Sequence, residues 1–517
     1  MRLIHCLDQG ARTGPDHDCI VHHDRRLSYR EVVERTWRVA NGLRSLGLDG
    51  GHRAAVWSPN DLDAYCAWLG VLRSGVPLVP VNPRDTVEHN LDVCRRYGCD
   101  VMFLHASLRD ELPHILRALP DLRAVVFLGD DVPEPALPWD TWLAAQPATV
   151  TDIPPNPEAL VLLNLTSGTT GDPRAVGQTE AAMESFVATA LASFRYDEPG
   201  VYLVAAPVTH AAGLLTYPHL ALGATILLVD GPNPAEVLAA IERERVTTVF
   251  LPPTALHDLL DHPAVAETDT RSLRYLLVAG APVSADRIRT AIDTFGPVVG
   301  QFYAMTEAPG VLCFLHPDDL VAADGTIRED RLGSCGRPTV FTEIAILDDD
   351  GGALPSGDIG EIAVRGTLVM RSYLEEPPAD TPERRRGWHR TGDIGRIDDE
   401  GFVTILDRKK DMIITGGFNV FPAEVERVLH RHPAVEACVV VGAPDDRWGE
   451  AVTAVVQLRP GHQADEGTLR AFCRERLSGV KTPKKIEFEV ALPRSPVGKI
   501  RRRDVRDPFW SDQDRSI

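Results

Sequence analysis

The stretch Leu165-Thr166-Ser167-Gly168-Thr169-Thr170-Gly171-Asp172-Pro173-Arg174-Ala175-Val176 decides how this chain is read. Four hydroxyl side chains and two glycines fill the six residues Thr166 to Gly171, directly after the apolar run Ala159-Leu160-Val161-Leu162-Leu163. A short apolar run predicts a buried strand, and the Gly/hydroxyl segment predicts a loop at its end. Glycines admit φ > 0 and let backbone approach a ligand closely. Consecutive N–H groups and hydroxyl donors form a concavity for phosphate oxygens. The same composition also makes an ordinary solvated turn. It is not a Walker A loop, since no Gly-Lys-Ser/Thr follows at the required spacing.

Outward from this loop, the bulk numbers bound the answer. At 517 residues the length predicts about three or four structural units. Hydrophobic residues at 44% and charged residues at 25% are those of a globular protein. A net charge of -20 argues against nucleic-acid partners and anionic membranes, which require a basic face. Nine cysteines without a Cys-x-x-Cys pair predict reduced thiols rather than a disulfide framework or metal site. Met1 to Asp8 is too short and polar for a signal peptide, and no apolar run approaches a spanning length. The expectation is a cytoplasmic protein with no membrane insertion.

Ser28-Tyr29-Arg30-Glu31 predicts a capping box at the head of a helix that stops near Gly47. The strand Ala54–Trp57 follows, then a helix from about Ala64 to Arg73 ending near Gly75. Further strands are expected at Val76–Val81 and Val101–Leu104, with a helix between them ending at Gly98. This alternation predicts an α/β layer with a largely parallel sheet. Residues Val132 to Pro157 carry seven prolines and read as a surface connection. A second α/β stretch runs to about Pro317. From about 333 to 406, short alternating segments between Asp/Gly turns predict a small antiparallel β unit. The run Asp407-Arg408-Lys409-Lys410-Asp411 marks a domain boundary, with a compact α/β tail beyond it.

Three further motifs carry chemistry. In Gln301-Phe302-Tyr303-Ala304-Met305-Thr306-Glu307, Tyr303 suits stacking on a base, Thr306 a phosphate, and Glu307 a Mg²⁺ ion or a surface ion pair. Asp393, between Gly392 and Gly395, suits two ribose hydroxyls or a turn. Lys499 follows a Pro/Gly loop and precedes Arg501, Arg502 and Arg503, a run that alone reads as a solvated face. No Gly-x-Ser-x-Gly elbow or His-Glu-x-x-His motif speaks for a hydrolase.

Taken in this order, the motifs resemble the acyl-/aryl-CoA synthetase branch of the adenylate-forming (AMP-binding) superfamily, from the Ser28 helix to Arg503. The resemblance implies a large N-terminal domain, 1–407, of two α/β subdomains plus a small β-barrel-like unit, then a small mobile α/β C-terminal domain, 408–517, hinged near Lys410, where a solvated, charged side chain suits a pivot. It implies an ATP-dependent acid–CoA ligase, with ATP, Mg²⁺ and coenzyme A as acceptor substrate. Thr166, Ser167, Gly168, Thr169, Thr170, Gly171 and Arg174 then hold the phosphates, and Gly280, Ala281, Pro282 and Tyr303 the adenine. Thr306 contacts the α-phosphate, Glu307 binds Mg²⁺, and Asp393 and Arg408 hold the ribose. Lys499 is the catalytic cation, His210 gates the acyl pocket, and Gly416 and Gly417 let the pantetheine arm pass.

Two departures stand out. The loop ends Pro173-Arg174-Ala175 where relatives have Pro-Lys-Gly, and arginine is not equivalent to lysine in donor geometry. Ala304 replaces a glycine, and its methyl implies a small, aryl or medium-chain acid. The alternatives are a stand-alone enzyme loading a carrier protein or a non-thiol acceptor, or one adenylating an unusual acid. Either a monomer or a homodimer fits.

Overall fold

The computed structural model describes residues 2–166, 174–196, 198–374, 376, 381, 384, 386–494 and 500–511. Ser167 to Gly171 and Lys499, all assigned above, lie outside the described residues. The chain divides into two compact units, Met1–Glu343 with Arg365–Asp380, and Ile344–Val364 with Thr381–Ile517. The charge run Asp407–Asp411 lies inside the second unit.

The first unit contains two sheets. The seven-stranded sheet runs Leu137–Pro138, Ala124–Leu128, Val101–His105, Ala54–Trp57, Leu78–Val81, Leu160–Leu165, Ala175–Thr179, parallel except for its last strand. The nine-stranded sheet has a parallel centre in the order Val299–Met305, Tyr275–Val278, Thr248–Leu251, Val201–Val204, Thr225–Leu228, Asp18–His22. Antiparallel strands close both of its edges. Strands such as Tyr275–Val278 are apolar and buried throughout, as expected for parallel strands covered on both faces. One apolar core, including Tyr29, Tyr65, Trp68, Phe186, Tyr202 and Tyr217, serves both sheets.

Local signals set the helix ends. Ser28 and Glu31 form the expected capping box for the helix Tyr29–Ser45. The helices Leu62–Ser74 and Val87–Tyr97 stop at Gly75 and Gly98, both left-handed at φ 83° and 63°. The reading of Val132–Pro157 needs correction. Trp139–Ala144 is a helix whose Trp139, Trp142 and Leu143 are buried, and both indoles meet Phe103 edge-on.

The second unit opens with a four-stranded sheet in the order Glu343–Leu347, Gly360–Arg365, His389–Ile397, Val403–Arg408, its last three strands antiparallel. A five-stranded sheet follows, built around the long hairpin Val435–Asp445 and Gly449–Leu458. The helices Pro422–Leu429, Glu466–Arg474 and Arg502–Trp510 belong to the same unit. Among the described residues no helix is long and apolar enough to cross a membrane.

Candidate active site

Parallel strands end on one edge of a sheet, and in open α/β sheets ligands bind outside that edge. On the nine-stranded sheet, Val201–Val204 leads to His210, Tyr275–Val278 to Gly280-Ala281-Pro282, and Val299–Met305 to Thr306-Glu307. Three motifs far apart in sequence thus share one structural position.

His210 is exposed at the start of the short helix Ala211–Leu214, with Nδ1 2.9 Å from the Thr209 hydroxyl. The turn is so tight that a Cβ on Gly213 would collide with the Val208 carbonyl. Gly280 takes φ 90°, and Ser284 then caps the helix Ala285–Phe295. Tyr303 is buried beside a strand irregularity between Tyr303 and Met305, and Ala304 packs against the main core.

The strands flanking the glycine-rich segment pair antiparallel, with Leu165 facing Ala175. Their ends are joined twice. Thr166 N–H donates to the Arg174 carbonyl at 2.9 Å, and Arg174 N–H donates to the Thr166 hydroxyl at 3.0 Å. Thr166 therefore closes the hairpin through its side chain as well as its backbone.

The segment Met370–Leu374 ties this base to Glu307. Leu374 N–H bonds the Ala175 carbonyl at 2.9 Å, and Met370 N–H bonds the Glu307 carbonyl at 2.8 Å. Gln178 donates to the Thr306 carbonyl at 2.6 Å. Tyr373 donates its hydroxyl to Glu307 Oε1 at 3.0 Å, while the Arg174 guanidinium lies over the Tyr373 ring, 4.7 Å from its centroid. Burial and the adjacent Glu307 carboxylate push the Tyr373 phenol up to about 12, so it stays a donor at neutral pH. Glu307 offers hard carboxylate oxygen, the ligand type Mg²⁺ takes, on backbone fixed from two sides; the residue fits that ion. Sequence reading missed Tyr373, whose link to Glu307 spans 66 residues.

In the second unit Asp393 and Arg408 are direct cross-strand partners, with Arg408 Nε 2.7 Å from Asp393 Oδ1. Asp393 is buried and Arg408 half exposed. Asp393 N–H donates to the Thr391 hydroxyl, which donates to the Ile362 carbonyl. Gly416 and Gly417, at φ 57° and 82°, form the two-residue turn between Ile413–Thr415 and Phe418–Val420. A Cβ on Gly416 would strike the Trp448 ring. This glycine pair therefore has a structural cause of its own.

Two readings of charged residues change. Lys410 is not solvated: its ammonium is buried in the 3-10 turn Lys409–Asp411, with no hydrogen-bond partner among the described residues. Burial, reinforced by Arg408, Arg506 and Arg502, lowers its value to about 8. Arg502 leaves the solvated face expected of Arg501-Arg502-Arg503. It pairs with Glu426 at 2.8 Å and approaches Asp411 at 3.7 Å. Arg494 and Ile500 form an antiparallel bridge, and Arg501 N–H bonds the Pro493 carbonyl at 2.8 Å.

Fold and strand-end site together define a nucleotide-dependent activating enzyme, and comparison with known proteins agrees. The sequence profile of the AMP-binding enzyme matches residues 7–374, and that of the AMP-binding enzyme C-terminal domain matches residues 424–499. The chain is similar to feruloyl-CoA synthase of Amycolatopsis sp, 38% identical over 96% of this chain and 97% of the relative. It is 37% identical to medium/long-chain-fatty-acid–CoA ligase FadD8 of Mycobacterium tuberculosis, over 96% of this chain and 88% of the relative. The solved amide bond synthetase McbA from Marinactinospora thermotolerans is 30% identical with TM-score 0.86, covering 98% of this chain and 100% of that one. The chain belongs to the AMP-binding enzyme family.

Proposed function

We propose that this chain activates a small, aryl or medium-chain carboxylic acid, with the residues above dividing the work between two half-reactions. It is an ATP-dependent, AMP-forming acid–CoA ligase. The acid and ATP give acyl-AMP and pyrophosphate; the CoA thiol then displaces AMP to give acyl-CoA.

The observation that carries the residue assignment is the gathering of His210, Gly280, Tyr303, Thr306 and Glu307 at one strand-end edge. In the first half-reaction two anions meet, so the barrier is largely electrostatic and preorganised donors matter most. Thr166 to Gly171, with Arg174, hold the departing phosphates. Gly280, Ala281, Pro282 and Tyr303 receive the adenine, Thr306 the α-phosphate, and Asp393 with Arg408 the ribose. Lys499 supplies positive charge to the attacking carboxylate and the α-phosphate together. Glu307 would hold Mg²⁺, which when bound shields phosphate charge. His210 borders the acyl group, and Ala304 narrows its pocket. For the thiol step, Gly416 and Gly417 border the pantetheine arm, and Lys410 is the pivot. The nine cysteines, none of them in a disulfide, support a reducing, cytoplasmic setting.

A second reading concerns the acceptor. The similarity to an amide bond synthetase over nearly the whole chain, and to the fatty acid–[acyl-carrier-protein] ligase ScoC of Streptomyces coeruleorubidus at 31% identity, supports an amine or a carrier-protein thiol in place of CoA. ATP–pyrophosphate exchange across a panel of acids, followed by AMP release with and without CoA, tests both readings. CoA-stimulated AMP release with an aryl or short acid is the expected outcome. Exchange without CoA stimulation favours the other acceptors, and equal turnover of palmitate and benzoate contradicts the small-acid assignment.

A further inference from the structure

We propose that His22, His23 and Asp230 form a binding site for a divalent cation of borderline softness, Zn²⁺ in the first instance, at the end of the strand Asp18–His22. This strand and Arg25–Ser28 form a tight hairpin in which His22 faces Arg25, leaving His23 and Asp24 as the turn. Neighbouring strand residues ordinarily point to opposite faces. His23 departs from that rule through a left-handed backbone at φ 52°, and its ring lies 4.1 Å from that of His22. Both Nε2 atoms stand 3.2 Å from the same oxygen, Asp230 Oδ1. A tetrahedral Zn²⁺ site with bonds of about 2.0–2.1 Å spaces its ligand atoms about 3.3 Å apart. Both His–Asp spacings match that value, and the ligand atoms of all three residues lie within 4.8 Å of one another.

The supports of these three residues come from other elements. Asp230 follows Thr225–Leu228, which pairs in parallel with the His22 strand, His22 facing Leu228. Asn60 fixes the adjoining backbone by donating to the Val229 carbonyl at 2.9 Å. Behind His22, Asp61 Oδ2 lies 3.8 Å from Nδ1, while Asp61 Oδ1 accepts from Ala64 N–H at 2.9 Å as the helix cap. A carboxylate facing the second nitrogen of a metal-bound imidazole fixes its tautomer and raises its basicity. His22 is buried, with 9% of its side chain exposed, whereas His23 and Asp230 are 59% and 64% exposed. A fourth position thus faces solvent, as in open zinc sites. Two imidazoles and one carboxylate suit Zn²⁺, Co²⁺ or Ni²⁺ better than Mg²⁺. An ion held here clips the hairpin to the neighbouring strand end and stabilises the folded state by mass action.

Tag-free protein, stripped with chelator and desalted, is titrated with Zn²⁺ by calorimetry and with Co²⁺ by visible absorption. The parent should bind one equivalent of Zn²⁺ and develop the d–d bands of tetrahedral Co²⁺. His23→Ala and Asp230→Asn alter exposed side chains and should keep the parental circular dichroism and ATP–pyrophosphate exchange. Each should weaken Zn²⁺ binding at least about tenfold and abolish the Co²⁺ bands. Absence of a bound equivalent in the parent, or parental Zn²⁺ affinity in both variants, overturns the site. Exchange measured on the same samples keeps this outcome separate from the ligase assignment.

Discussion

Arg174, at the base of the glycine-rich hairpin, and Lys410, in the turn after Val403–Arg408, are both cations on short connections, yet their surroundings are opposite. Arg174 lies over the Tyr373 ring and within 3.6 Å of Glu376, and Tyr373 in turn bonds Glu307. Lys410 buries an ammonium with no hydrogen-bond partner among the described residues, beside Arg502 and Arg506. A cation tied into a network holds one geometry. A buried, unpartnered cation makes its own arrangement costly and lowers the difference from alternatives. The contrast matches the proposed roles, a fixed phosphate site in the first unit and a pivot in the second.

The largest break in this comparison would come from Glu307→Gln. Loss of the carboxylate should cut ATP–pyrophosphate exchange about 10²–10³-fold, on the scale of removing one preorganised electrostatic group, with a raised Mg²⁺ requirement. Parental exchange in that variant would remove Glu307 from the site. Tyr373→Phe keeps the ring under Arg174 but deletes the hydroxyl on Glu307. Its expected cost is about tenfold in exchange, recovered in part by excess Mg²⁺. A purely packing role for Tyr373 predicts no Mg²⁺ dependence.

Arg174→Lys keeps the positive charge while losing the planar stack on Tyr373, worth about 0.5–1 kcal/mol at an exposed site. A change of about two- to fivefold in KM for ATP is expected, with kcat little altered, since 0.5–1 kcal/mol corresponds to that range. A change confined to kcat would show that Arg174 acts in the reaction itself.

Lys410→Met should have the smallest effect on exchange, within about twofold, and should stabilise the second unit. The sign follows from linkage. Lys410 titrates near 8 when folded and near 10.5 when unfolded, so the unfolded chain binds more protons between those values and stability rises with pH across that window. The penalty is fully present below pH 8. Removing the ammonium should flatten that rise, as followed by thermal melts from pH 7 to 10. An unchanged slope would locate the effect elsewhere.

Much of the frame was legible because its signals are local. Ser28 and Glu31 mark a helix start three residues apart, and Gly75 and Gly98 mark stops by backbone geometry that only glycine takes easily. The strand-end site was legible as motifs, since each motif follows its own strand directly. What stayed hidden depends on contacts between distant segments. Trp139, Trp142 and Leu143 sit at helical spacing, but the surrounding prolines hid a helix that packs on Phe103. The buried role of Arg502 depends on Glu426, 76 residues away, and a run of three arginines gives no hint of which one turns inward. Lys410 was expected in solvent because a pivot calls for a solvated residue; only the packing of Arg502–Trp510 and Val435–Asp445 around that turn reveals its burial.

The central claim is that adenylate formation and thiol transfer use different parts of this chain. Lys499→Ala tests it most directly, assayed once by ATP–pyrophosphate exchange and once by CoA-dependent consumption of a preformed acyl-adenylate. Exchange should fall at least about 100-fold, while consumption of the adenylate stays within about threefold of the parent. Exchange at the parental rate, or equal loss in both assays, would contradict it.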